Sequence, residues 1–503
     1  MSISATADPP DTAEADAGAR WTAREWGALI VLCGALFLDA LDVSMMGVAL
    51  PSIREDLGLS TRSLQWVVSG YVLGYGGFLL LGGRAADLLG RRRMFLAALA
   101  VFTVASGLGG FATNGELLIA SRFITGVAAA FTAPAGLSII TTTFPEGAAR
   151  NRALSIYTAT GATGFSLGLV VGGILTEGSW RLVFFVPVVL AFVTLLAAVR
   201  LVRDPGTSET DVRRFDVGGA VTLTAAMLLL VFTVVEAPEA GWGSAATLGG
   251  VVGTAALLAA FVAIERRSSA PLVRLGILRS ASLIRANVGA MALFGSWLGF
   301  QFVATLYFQQ LRGWSASETG LALFPAGLIV AVFATRIEPL IARFGLTKVI
   351  LAGLVSVAAS YALFLPIGHD SGYVVAVLPT VLLAGIGFAL AYGPLNIAAT
   401  NGVDAHEQGL AGGLVITSFQ FGGALVLAVV TAVNEAVGTE GSADGLLDGF
   451  RAALLVPLVV AVLGIAVTAG GLSRRAAAAS APAVAPVIDL DAEEELVAVA
   501  VGD

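Results

Sequence analysis

The chain is 503 residues long, 57% hydrophobic and 13% charged, with a mean hydropathy of +0.89, a balance that a water-soluble domain of this size does not carry. One cysteine, Cys33, and two histidines, His369 and His406, provide no disulfide framework and no metal or haem cluster, which argues against redox chemistry. The net charge of −7 gives no electrostatic footprint for nucleic acid.

Residues 1–24 are rich in Ala, Asp, Pro and Thr and lack the basic start and apolar core of a signal peptide, so they are read as a disordered cytosolic tail. Apolar runs of roughly twenty residues then recur about fourteen times. Six lie near 26–50, 64–82, 94–112, 116–140, 153–175 and 182–202, two near 216–236 and 246–264, and six near 286–308, 319–342, 348–367, 373–396, 410–433 and 452–472. The first run holds Asp39 and Asp42, three apart and hence on one helix face. A carboxylate in mid-membrane costs roughly 2.5 to 3.5 kcal/mol on insertion scales, so its presence asks for a function. Two neighbouring carboxylates in low dielectric resist ionising together, which suits one of them to carrying a proton. Between runs two and three the sequence Gly83-Arg84-Ala85-Ala86-Asp87-Leu88-Leu89-Gly90-Arg91-Arg92-Arg93 predicts a tight turn at Gly82, Gly83 and Gly90, with its arginines on the cytosolic side. Run four carries Arg122, whose guanidinium stays charged and must face a cavity or an acid; Asp42 is the obvious partner. In run five Gly164, Gly168, Gly172 and Gly173 form a smooth groove for close helix contact.

In the second half, Phe300 and Tyr307 with Trp297 are candidates for an aromatic wall against flat compounds. Asn287, Gln301, Asn396 and Gln420 are candidates for substrate contact or for hydrogen bonds between helices. Ile341-Ala342-Arg343-Phe344-Gly345-Leu346-Thr347-Lys348 occupies the position in this half that Asp87-Leu88-Leu89-Gly90-Arg91 occupies in the first, a faint internal repeat. Most of the 28 Lys and Arg fall on one side of the predicted spans, which places both termini in the cytosol. From residue 474 the chain is Ala, Pro and acid rich and is read as a second cytosolic tail.

These motifs resemble the major facilitator superfamily and, within it, the fourteen-span drug:proton antiporters. The loop at 83–93 is similar to Gly-x-x-x-Asp-Arg-x-Gly-Arg-Arg, with Leu88 where arginine is usual. Leu41-Asp42-Val43-Ser44 through Pro51 is similar to Leu-Asp-x-Thr-x-x-Asn-x-Ala-Leu-Pro, with Ser44 for threonine and Gly47 for asparagine. Arg122 to Gly126 resembles Arg-x-x-x-Gly, with Thr125 where Gln is frequent; the glycines of run five match Gly-x-x-x-Gly-Pro-x-x-Gly-Gly except that Leu169 replaces proline. Thr417 to Ala424 follows Thr-Ser-Arg-Gln-x-Gly-Gly-Ala, with Phe419 for arginine. The resemblance spans nearly all of 26–472.

The resemblance implies an all-α integral membrane fold of two six-helix bundles, residues 25–203 and 280–473, with an inserted two-helix hairpin at 214–266 and tails at 1–24 and 474–503. It implies a monomeric, proton-coupled exporter of amphipathic or cationic small molecules in the cytoplasmic membrane of a bacterium, with no cofactor beyond the proton. Asp42, Asp39 and Arg122 are then the coupling residues, while Gly83, Asp87, Gly90, Arg91 and Arg92 form a cytoplasmic gate. A dedicated exporter of one endogenous antibiotic, an uptake symporter and, remotely, a polytopic membrane enzyme are the alternatives.

Overall fold

The computed structural model describes residues 21–145, 148–203, 216–268, 275–334, 336–401, 408–439 and 441–480, with positions 271, 273 and 403. Its first six long helices are α1 (Ala23–Leu57), α2 (Thr61–Leu89), α3 (Arg91–Gly110), α4 (Gly115–Thr143), α5 (Ala148–Gly178) and α6 (Leu182–Leu201). A pair follows, α7 (Val217–Ala240) and α8 (Ala245–Arg267). The second set comprises α9 (Ala281–Leu306), α10 (Ala316–Ala334), a short α11 (Ile337–Phe344), α12 (Leu346–Phe364), α13 (Leu378–Thr400), α14 (Gln408–Val437) and α15 (Ala443–Ser480). Thirteen of the described helices are long and apolar enough to cross a bilayer unaided, and the apolar stretch Gly218–Val234 within α7 supplies a shorter fourteenth. Helices are the form such runs must take, because a lipid core offers backbone N–H and C=O groups no partner outside the segment.

Helix ends follow local chemistry. Thr22 and Glu25 form a reciprocal capping box at the start of α1, and Gly58, at φ 63°, closes it. Asn114, Ser244 and Ser280 cap α4, α8 and α9 through their side-chain oxygens. The run predicted at 319–342 divides into α10 and α11, since the chain turns at Arg336 and the IEPLIARF segment beyond it carries Glu338 and Arg343. α15 runs on to Ser480, past the end expected at 473.

The predicted turn at Gly82 and Gly83 is absent, and α2 runs straight through both to Leu89. Gly82 serves helix contact instead, since a methyl there would lie 2.9 Å from the Ala130 carbonyl carbon of α4, whereas one on Gly83 would meet only the Pro134 side chain at 3.7 Å. Only Gly90, at φ 98°, turns the chain into α3. Gly345, at φ 84°, does the same between α11 and α12, so the faint sequence repeat is a real structural one.

Packing repeats as well. α1 packs on α5 and α6, α2 on α4, and α3 on α4 and α6; correspondingly α9 packs on α14 and α15, α10 on α13, and α12 on α13 and α15. The two sets meet along two seams, α5 with α10 and α2 with α14. The α7–α8 pair lies beside the second seam, with α7 touching both α2 and α14. Thr224 of α7 donates to the Gly77 carbonyl of α2 at 2.7 Å, and Glu236 is ion-paired with Arg62.

Candidate functional site

Asp42 sits in the middle of α1, and α4 brings Arg122 to it. The guanidinium Nη1 lies 2.6 Å from Asp42 Oδ2, and the two side chains are 2% and 0% exposed. The same guanidinium donates through Nε to the Val67 carbonyl of α2 at 3.4 Å and lies 4.6 Å from the centre of the Tyr71 ring. A buried arginine needs this much company, because its charge cannot be given up. Asp42 Oδ1 has no hydrogen-bond partner among the described residues, so the carboxylate is only half satisfied.

Asp39, one turn earlier, behaves differently. It accepts a hydrogen bond from the Tyr71 hydroxyl and has no ion-pair partner among the described residues. It is partly exposed and lines a cavity between α1, α3, α4 and α5 together with Leu36, Phe95, Phe102, Thr132 and Tyr157. Tyr71 thus links the two acids, with its hydroxyl on Asp39 and its ring against the arginine that holds Asp42.

The glycines of α5 seat this part of α1. A methyl on Gly164 would lie 2.6 Å from the Phe37 carbonyl, one on Gly168 2.8 Å from the Leu41 carbonyl, and one on Gly172 2.7 Å from Met45 Cα. Gly173 faces the other way, toward the Ala316 carbonyl at the start of α10 across the seam. The groove therefore fixes the backbone of residues 37–45, which carries both acids. Ser44, in the place of the usual threonine, donates to the Leu41 carbonyl at 3.1 Å. Where Gly47 replaces asparagine, the amide of Gln301 fills the space: a Cβ at Gly47 would lie 2.5 Å from its nitrogen.

The residues expected to form an aromatic wall are packed within the second helix set. Phe300 and Tyr307 are buried inside the second helix set, Phe300 against Tyr361 and Phe364, and Tyr307 bonded through its hydroxyl to the Gly368 carbonyl at 2.7 Å. Their faces are used up in packing. A separate stacked series runs elsewhere in the second helix set: Phe388 on Tyr392 at 5.2 Å, and Tyr392 on Phe419 at 4.7 Å. Trp297 borders it, 5.8 Å from Phe388 and 6.2 Å from Phe165 of the first helix set. Phe419, the departure from arginine, is thus one member of the stack. Tyr71 and Tyr75 of α2, and likewise Phe388 and Tyr392 of α13, stand four apart. That spacing puts each pair on one face and is the signal by which sequence alone could have found them.

The polar candidates divide. Gln301 and Gln420 are buried, Gln420 against Gly76 of α2, while Asn396 donates back to the Tyr392 carbonyl at 2.8 Å. Asn287 accepts from Ser418 at 2.6 Å and so joins α9 to α14. Of the gate residues, Arg92 donates to the carbonyls of Val199 and Val202 at 2.7 Å each, closing the end of α6. Arg91 reaches the Ser138 carbonyl of α4 at 3.5 Å. These partners lie within the first helix set, not across a seam. The side chain of Asp87 lies outside the described residues.

The sequence profile of the Major Facilitator Superfamily matches residues 32–427. The chain belongs to the Major Facilitator Superfamily. Among its relatives there, the cephamycin export protein CmcT of Amycolatopsis lactamdurans is 39% identical over 446 residues, which cover 88% of this chain and 91% of that protein. The puromycin resistance protein pur8 of Streptomyces alboniger is 35% identical over 458 residues, covering 88% and 90%. A solved structure of a POT family transporter in complex with a thioalcohol conjugated peptide superposes with a TM-score of 0.66 over 88% of this chain and 95% of that one, at 16% identity, and shows the shared fold. This superfamily member is a multi-pass membrane protein that transports small molecules, and it is not an enzyme.

Proposed function

We propose that the protein is a proton-driven exporter of amphipathic or cationic small molecules in the cytoplasmic membrane, with Asp42 as the coupling acid. The observation that carries this reading is the fully buried Asp42–Arg122 pair with one carboxylate oxygen that has no partner among the described residues. A structural ion pair gains by satisfying every oxygen, whereas a carboxylate that must exchange a proton needs a lone pair to spare. Protonation of Asp42 weakens its hold on Arg122, and deprotonation restores it, so the charge state of one residue biases the packing of α1 against α4. Residues 25–203 and 280–473 act as the two rocking units about the α5–α10 and α2–α14 seams, with 214–266 inserted between them.

In this reading both termini are cytosolic. Gln309 donates to the Val48 carbonyl at 2.9 Å, and Gly173 packs on Ala316, which draws the two units together toward the outer side, while Asp39 faces a cavity in the half nearer the termini. A pH difference of one unit drives export with about 1.4 kcal/mol per proton. The relatives named for export of, or resistance to, single antibiotics favour a second reading in which the substrate is one endogenous antibiotic. Proton-gradient-driven uptake into inverted membrane vesicles, run over a panel of antibiotics and dyes, separates these. Uptake of many chemically unrelated compounds supports the broad pump, uptake of one supports the dedicated exporter, and no uptake that responds to the proton gradient refutes both.

A further inference from the structure

Tyr71 of α2 serves two groups at once. Its side chain is 1% exposed, its ring centre lies 4.6 Å from the guanidinium carbon of Arg122, and its hydroxyl donates to Asp39. The Val67 carbonyl, one turn earlier on α2, accepts from Nε of the same guanidinium at 3.4 Å, which leaves Nη1 to reach Asp42 at 2.6 Å. There is little slack in this arrangement. A methyl on Gly126 of α4 would lie 2.8 Å from the Tyr71 carbonyl carbon, and one on Gly74 of α2 would lie 2.9 Å from the Val127 nitrogen, so the stretch of α2 that carries Tyr71 is pressed against the helix that carries Arg122. Tyr75, a turn further on, meets the Tyr71 ring edge-on at 6.1 Å and helps set its tilt. An aliphatic side chain would fill the same volume, but it would give the arginine no π face and the carboxyl group no donor.

We propose that Tyr71 is a positioning residue for the coupling step: its ring keeps Arg122 aimed at Asp42, and its hydroxyl carries any displacement of that arginine to Asp39 at the cavity. The proposal rests on the transport reading above and names how the second acid takes part in it. When Asp42 takes a proton and its hold on Arg122 weakens, the guanidinium and the ring it rests on shift together, and the hydroxyl draws away from Asp39. Asp39 then gives up the hydrogen bond that Tyr71 supplies. The buried acid and the cavity acid thus answer as one unit, although Arg122 pairs with Asp42 alone among the described residues.

The test is pH-difference infrared spectroscopy of the full-length protein in nanodiscs, which reads the carboxylic C=O stretch of acids that change protonation and needs no substrate, with thermal melts to confirm folding. Asp39→Asn and Asp42→Asn identify the two bands by their loss. Tyr71→Phe keeps the ring and removes the donor, so it is expected to move the Asp39 band to higher wavenumber and to leave the Asp42 band in place. Tyr71→Leu removes both and is expected to move both bands. Asp42→Asn is expected to displace the Asp39 band, and that displacement should fall to about half or less when Tyr71→Phe is also present, because the link between the acids is then cut. A folded Tyr71→Phe protein with an unmoved Asp39 band overturns the proposal, as does an Asp42→Asn displacement of the same size with and without Tyr71→Phe. If Tyr71→Leu does not fold, the Tyr71→Phe spectra decide alone. An Asp39 that gives no band at any pH at which the protein is folded also overturns it. Loss of proton-coupled transport in Asp42→Asn alongside an unmoved Asp39 band in Tyr71→Phe would sink this inference alone, whereas uphill transport by Asp42→Asn alongside the expected band shifts would sink the transport reading instead.

Discussion

Replacing Arg122 by methionine removes the only described ion-pair partner of Asp42 while keeping a long side chain in the space between α1, α2 and α4. The pair is 2.6 Å apart with both side chains buried, so the substitution leaves a carboxylate with neither a cation nor water to face it. Breaking one side of a buried pair costs about 3 to 5 kcal/mol. The lost contact with the Tyr71 ring adds roughly 0.5 to 2 kcal/mol. Removing both charges avoids most of that cost, since a buried pair contributes little net stability compared with an uncharged replacement. Thermal unfolding in detergent, run as a double-mutant cycle with Asp42→Asn, should therefore show a severely destabilised Arg122→Met and a substantially restored Arg122→Met/Asp42→Asn. A single variant within about 1 kcal/mol of the unaltered protein, or a double variant no better than the single, would refute the view that the two residues answer to each other.

Three further outcomes follow from the packing. Gly168→Val should block seating of α1 on α5, because even its first carbon would lie 2.8 Å from the Leu41 carbonyl, and should abolish folded protein on size-exclusion chromatography; Gly393→Ala, with nothing within 4 Å, should melt at or slightly above the unaltered protein. Gly82→Ala should destabilise through the Ala130 backbone while Gly83→Ala, whose added carbon meets only Pro134 at 3.7 Å, should be tolerated in expression and transport. Arg92→Ala should cost roughly 1 to 3 kcal/mol in thermal unfolding by freeing the α6 carbonyls, and should leave the direction of transport unchanged.

Much of this was legible in the sequence, because the bilayer leaves few options. A run of apolar residues as long as those around Met45 or Val193 has to be a spanning helix, and a charged residue inside it has to find a partner, so the helices and the Asp42–Arg122 contact could be read from hydropathy and charge alone. What could not be read is which face of an all-apolar helix turns inward. Phe300 and Tyr307 lie in a stretch with little polar contrast between its sides, and only packing against Tyr361 and Phe364 shows that they point away from the seam. The glycines at 82 and 83 are ambiguous for a related reason: glycine permits a turn and close helix contact alike, and the approach of α4 decides for contact at Gly82.

The central claim is that a proton on Asp42 drives export. Its most direct test reconstitutes Asp42→Asn in proteoliposomes and compares substrate-induced proton movement and pH-gradient-driven transport with those of the unaltered protein, after matching reconstituted protein and melting temperature. Asparagine keeps the size and the hydrogen-bonding capacity toward Arg122 but cannot carry a proton. The account predicts that substrate no longer moves protons and that a pH gradient no longer drives substrate uphill. Gradient-driven transport at the unaltered rate by a folded Asp42→Asn protein would contradict it.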